Sequence, residues 1–137
     1  MENFIATKYD SIEQKQKFAK QFIKFVESDF NRNKFPKWFY DTLHNTFGHI
    51  AHYNKNGFYN HFFSNLQDKL HFIEYTLTRN IYGDPEYTYS DVEKYLQTWL
   101  TDNNVLEYYK MLRKKQIEKN ELEQLAYLKQ KYEGKEK

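Results

Sequence analysis

Four of the chain's five histidines, His44, His49, His52 and His61, fall within residues 41–61, "DTLHNTFGHIAHYNKNGFYNH"; the fifth is His71. Imidazole and carboxylate groups at helical spacing suit two chemistries, metal ligation and proton transfer. Asp41 and His44 are three residues apart, His52 lies two turns beyond His44, and His61 can fold back from a following helix. Zinc helices usually place two histidines four apart, and no HExxH stands here. For proton transfer, a histidine oriented by Asp41 would need a nucleophile, and Ser64 or Thr46 is the candidate. Neither sits in a GxSxG elbow. No metal, cofactor or catalytic residue is therefore assigned, and a His-dependent or metal-dependent enzyme stays the third choice.

Binding is the chemistry this segment fits better. Projected as a helix from Pro36 to Tyr53 with Asp41 at zero, Phe39, Tyr40, Leu43, Phe47, Ile50 and Ala51 cluster at roughly 160° to 280°. Trp38, Asp41, His44, Asn45, Gly48, His49 and His52 occupy the opposite side, from roughly −60° to +80°. An exposed tryptophan among polar groups resembles the centre of a protein interface. A glycine inside a helix costs about 0.5–1 kcal/mol relative to alanine and often marks close approach by another group. These seven residues are the predicted partner-binding face. The plainer alternative is a set of solvated surface histidines with Trp38 packed on a neighbouring helix.

The elements that position this face are helical throughout. "SIEQ" has the form of a capping box and predicts a helix from Ser11, with Ile12, Ala19, Phe22, Ile23, Val26 and Phe30 inward. "FNRNKFP" ends it, and Pro36 opens the histidine helix. "NKNG" is read as a terminating turn, followed by a third helix over roughly Phe58 to Asn80. "YGDPEYTY" predicts a turn and short linker with Tyr87 and Tyr89 as loop anchors, and "SDVE" a capping box from Ser90 to Glu93. Trp99 belongs to the core. The last helix, about Asn104 to Lys131, carries Val105, Tyr109 and Leu112 on one side but Ile117, Leu125, Leu128 and Tyr132 on another. No strand alternation or internal repeat appears. The expected fold is all-α: an irregular bundle of about five helices with an extended, charged C-terminal helix. Residues 1–113 form the core domain and 114–137 the arm.

Composition narrows the function classes. The 137 residues include 13 Tyr and 12 Phe, so rings fill a core that other chains build from Val and Leu. Without cysteine there is no thiolate ligand or thiol nucleophile, and four scattered glycines make no phosphate-cradling loop. Neither a signal peptide nor a membrane span is predicted, and a cytoplasmic protein is expected. The net charge of +2 conceals an asymmetry: nine Lys and Arg against five Glu from Lys110 onwards, twelve against fourteen before it. Only three cationic residues are Arg, which weakens a nucleic-acid reading. The residues that would carry it are Arg113, Lys114, Lys115 and Lys119. Enrichment in Lys, Asn, Tyr, Phe and Ile fits an A+T-rich coding sequence, as in low-GC bacteria and their phages. The expectation is a small non-enzymatic module that occupies a surface of a larger protein, inhibition of a host or defence enzyme being one form. A nucleic-acid-binding accessory protein is the alternative, and a homodimer through the arm is a further expectation.

Overall fold

A computed structural model describes residues 3–47 and 54–135. These form an all-α bundle of six helices: α1 (Ile12–Glu27), α2 (Lys37–Phe47), α3 (Lys55–Phe63), α4 (Leu66–Thr78), α5 (Ser90–Asp102) and α6 (Val105–Lys135). A single 3₁₀ turn, Arg32–Lys34, joins α1 to α2, and no strand occurs among the described residues. None of these helices is long and apolar enough to cross a membrane.

The capping box at Ser11 is present in full, with the Ser11 side chain accepting from the Gln14 amide and the Gln14 side chain accepting from the Ser11 amide. Two helix starts differ from expectation. Asn54 caps α3 by accepting from Gly57 N–H at 2.8 Å, so "KNG" is the first turn of a helix, not a terminating turn. The expected long third helix is two helices, because Asn65 caps α4 by accepting from Asp68 N–H at 2.8 Å. An Asn side chain competes with the helical backbone, which favours a new N-terminus over continuation. The break lets α3 turn Phe58 and Phe63 inward and α4 turn Leu70, Phe72 and Ile73 inward. At α5, Ser90 is the first helical residue, and Tyr89 precedes it without a side-chain cap. The expected Ser90–Glu93 box is absent because Glu93 turns inward to Arg79 instead.

The core is a phenylalanine lattice. Phe25 sits with its ring centroid 5.2 Å from Phe30, 5.1 Å from Phe35 and 4.9 Å from Phe63, and Phe63 lies 4.9 Å from Phe72. Most of these contacts are edge-on or tilted, the arrangement the ring quadrupole favours. Phe30 is fully buried but does not belong to α1: Asp29 (φ 59°) and Phe30 (φ 55°) both adopt left-handed backbone after the helix ends. That conformation strains a bulky side chain. Packing against Phe25, Phe63 and Tyr109 holds it in place, while the Phe30 carbonyl accepts from the Tyr59 hydroxyl at 2.6 Å. Ile12, expected inside, is exposed, and Lys15 and Phe18 take the inward positions of that turn.

Lys15 is the exception in this apolar interior, with 0% of its surface exposed. Its ammonium donates to the Pro85 carbonyl at 2.8 Å and to Asp91 Oδ1 at 2.9 Å, and lies 5.4 Å from the Tyr89 ring centre. Asp91 also accepts, through Oδ2, from the Ile5 amide. One cation thus joins α1, the segment before α5 and α5 itself, and through Asp91 the N-terminal residues. Removing one partner of a buried pair leaves the other desolvated and unpaired. Lys15→Met keeps the volume and deletes the charge, and should lower unfolding stability by roughly 2–4 kcal/mol, read as a lower urea midpoint with unchanged slope.

Candidate functional site

The predicted face on α2 is only partly open. Trp38 is half-buried against the core: its ring lies 6.0 Å from Phe39 and carries the Lys17 ammonium 4.3 Å above it. His44 is half-buried too, its ring 5.6 Å from Tyr40 and 6.1 Å from Phe58. Both corrections have one cause. α2 is flanked by α1 on one side and by α3 on the other, so neighbours cover more of its circumference than its apolar stripe alone implies. Phe39 and Leu43 are fully buried, as expected. Gly48, His49 and His52 lie outside the described residues.

Asp41 and Asn45 remain exposed, and they open onto a cleft of about 430 Å³. Its walls come from three parts of the chain: Asp10 before α1, Asp41, Thr42, Asn45 and Thr46 of α2, and the segment from Arg79 to Glu93. Asp41 is held by Lys37 at 3.0 Å, one helical turn back. Across the cleft, Glu93 is buried and pairs with Arg79 at 3.5 Å. Burial pushes the Glu93 carboxyl above its ordinary 4.5, and the Arg79 charge opposes that only in part. Tyr89 donates to Asp10, and burial, aided by the Asp10 charge and hydrogen bond, pushes its phenol up to about 12. Tyr89 thus anchors the segment, also packing edge-on to Phe18 at 5.8 Å, as expected of it. Tyr87, expected to do the same, is 71% exposed.

The segment between α4 and α5 is built, not loose. Gly83 (φ 109°) lies so close to Thr88 that an added Cβ would stand 2.9 Å from its side chain. The Asp84 carbonyl accepts from the Tyr87 amide at 2.8 Å and the Thr88 amide at 2.9 Å, and the Asp84 side chain accepts from the Glu86 amide at 2.9 Å. Lys15 fixes Pro85 from below. The Gln97 side-chain amide donates to the Thr76 and Arg79 carbonyls, closing the end of α4. Tyr82 and Tyr87 consequently present exposed rings from a defined backbone.

Three carboxylates and one guanidinium line this cleft, with hydroxyls from Thr and Tyr between them. The arrangement favours a cation carrying hydrogen-bond donors, held beside tyrosine faces. Among the described residues no three His, Asp or Glu side chains converge to hold a metal ion. Ser64, the candidate nucleophile, donates its hydroxyl to the Asn60 carbonyl of its own helix. Thr46 lines the cleft. The sequence reading missed Asp10, Arg79, Tyr82 and Glu93. The available signal was the density of Tyr, Asp and Glu around "YGDPEYTY", read there as a linker.

At the other end of the molecule, Val105 and Tyr109 dock α6 onto the bundle. Tyr109 donates to Asp29 Oδ1 at 2.6 Å, and Asp29 also pairs with Lys69 at 3.2 Å. Burial and that hydrogen bond push the Tyr109 phenol far up. Arg113 is half-buried, and residues 114–133 are exposed throughout. Arg113, Lys114, Lys115 and Lys119 project at roughly 100°, 200°, 300° and 340° around the axis, with Leu112 at zero. Four cations so dispersed, with Glu118 among them and Glu121 and Glu123 after them, form no basic face to track a phosphate backbone. Trp99 is half-buried against the core, near its expected place.

Compared with protein families, curated proteins and solved structures, the chain matches none.

The Glu93 shift has a testable sign. A carboxyl raised in the folded state stabilises the fold most below its unfolded value, and that contribution is lost as pH rises through the folded value. The unfolding free energy of wild type minus that of Glu93→Gln should therefore fall as pH rises above the ordinary 4.5 of the carboxyl. Parallel urea titrations of both proteins measure it, and the other carboxylates cancel in the difference.

Proposed function

We propose that the protein is a small non-enzymatic binding module whose cleft takes a lysine or arginine side chain from the surface of a larger protein. The observation that carries this is the cleft itself. Exposed Tyr82 and Tyr87 stand on a hydrogen-bonded turn at its mouth, while Asp10 and Asp41 supply negative charge within, Glu93 being paired with Arg79. Tyrosine gives large, stiff contact area at low entropic cost, and a seated cation gains from both carboxylates and ring faces. Asp41 and Asn45 keep the role expected of the α2 face, whereas Trp38 and His44 support it from behind. Occlusion of the partner's surface is the action such a module performs, inhibition of an enzyme being one instance. A second copy of the chain is a further partner, engaged through the C-terminal arm.

Titration with a short lysine- and arginine-containing peptide, followed by backbone amide shifts, tests the cleft. Shifts should concentrate at Asp41, Asn45 and residues 82–89, and should weaken as salt rises. The double variant Asp41→Lys, Tyr87→Ala changes exposed side chains only, and should weaken binding at least tenfold, about 1.4 kcal/mol. Equal affinity of wild type and variant would remove the cleft from the account.

A further inference from the structure

The outer side of α1 carries a row of cations that neither the core nor the cleft employs. Projected with Lys17 at zero, Lys20 and Lys24 fall with it in a sector of about 60°. The buried Phe18, Phe22, Phe25 and Val26 occupy the opposite side. Residues 14–26 contain four Lys and no acid, and residues 30–40 contain Arg32, Lys34 and Lys37 and no acid. The fold sets the second group beside the first. The Gln21 side-chain amide donates to the Lys34 carbonyl at 2.9 Å, which lays the 3₁₀ turn along α1. On the same flank the Lys17 ammonium lies 4.3 Å from the Trp38 ring centre. Lys17, Lys20, Lys24, Arg32 and Lys34 thus share one surface, and all five are exposed.

The neighbouring carboxylates leave this surface positive. Asp29 is held by Lys69 and Tyr109, and Asp41 by Lys37. Glu27 lines a hollow with Trp99 and Tyr108, on the side of α5 and α6. Glu13 stands one turn before Lys17, at the end of the row. Among the described residues none of the five cations forms an ion pair. Two of them are also held in position. Lys17 rests on Trp38, while the Arg32 guanidinium lies 4.2 Å from the Tyr59 ring centre and donates to Asn60 Oδ1 at 2.8 Å.

We infer that this surface binds the phosphate backbone of a duplex nucleic acid without reading its sequence. It acts independently of the cleft. Four of the five cations are Lys, point charges that suit phosphate and lack the planar fork that reads base edges. Trp38 and Tyr59 are half-buried and each already carries a cation, so neither is a stacking platform of the kind a single strand uses. No large apolar side chain between residues 13 and 40 is exposed, which leaves nothing to enter a lipid surface. Lysines gathered on one helix side and the adjoining turn form the electrostatic footprint of backbone binding, and each phosphate they neutralise releases counterions.

Fluorescence anisotropy of the full chain with labelled duplexes of about 20 base pairs, one of DNA and one of RNA, tests this from about 50 to about 200 mM salt. Log affinity for DNA should fall with log salt at a slope of about −4.5, five phosphates at about 0.9 each. Two DNA duplexes of unrelated sequence should bind equally, and the tighter of the DNA and RNA duplexes identifies the source of the backbone. The exposed double variant Lys20→Ala, Lys24→Ala should keep the wild-type urea midpoint, flatten the slope by about 2 and weaken binding at least tenfold at about 50 mM salt. Lys114→Ala, Lys115→Ala in the arm should bind as wild type does. Absence of binding at about 50 mM salt, or loss in the arm variant but not in the α1 variant, would overturn the inference. So would tighter binding to a single strand of the same length, to poly-glutamate, or to vesicles of phosphatidylcholine and phosphatidylserine.

Discussion

Lys15 is the constraint on which the working end of this molecule depends. Its ammonium has no exposed surface, so its charge must be met inside the protein or the fold loses several kcal/mol. It is met by Asp91 and by the Pro85 carbonyl. That requirement fixes α5 against α1 and pins the middle of the α4–α5 connection to both. Asp91 in turn takes the Ile5 amide, which draws the N-terminal residues across the same end of the bundle. Asp10, Tyr82, Tyr87 and Glu93 then converge on the α2 face as a consequence. An apolar residue at position 15 would pack as well, but would remove the contacts that tie Pro85 and Asp91 to α1.

The opposite end is organised on different terms. There the left-handed pair Asp29–Phe30 reverses the chain after α1, and the strain is held down by aromatic packing and by hydrogen bonds from Tyr59 and Tyr109. Asp29 joins α6, through Tyr109, to α4, through Lys69. α6 is thus anchored firmly over its first two turns and then leaves the body. The cleft therefore lies at one end of the bundle and the projecting helix at the other.

Periodicity made the helical class, the Ser11 cap, the burial of Phe39 and Leu43 in α2 and the displaced stripe of α6 legible in the sequence. It failed where a polar side chain settled the outcome. Asn65 divides an apolar run that reads as one helix, and Asn54 begins a helix where glycine suggests an ending. Lys15 falls on the inward side of α1 by spacing, between Ile12 and Ala19, but a lysine in that stripe reads as a solvent-facing residue. Ser90 and Glu93 match a capping box in letters, yet Glu93 is needed by Arg79. For the site, a single-helix projection separates α2 into two faces but cannot show that α1 and α3 cover the flanks bearing Trp38 and His44. Asp41 and Asn45 lay on the part that stays open. Their companions come from residues distant in sequence, joined by contacts that no local spacing encodes.

Amide hydrogen exchange in wild type and Lys15→Met tests most directly whether one buried cation holds the cleft together. The Tyr87 and Thr88 amides, bonded to the Asp84 carbonyl, should exchange through a local opening that becomes at least tenfold more frequent in the variant. Amides in α4 and the anchored start of α6 should follow only the global loss of stability. Equal acceleration everywhere, with residues 83–89 no more affected than α4, would contradict the assignment of Lys15 as the anchor of the cleft.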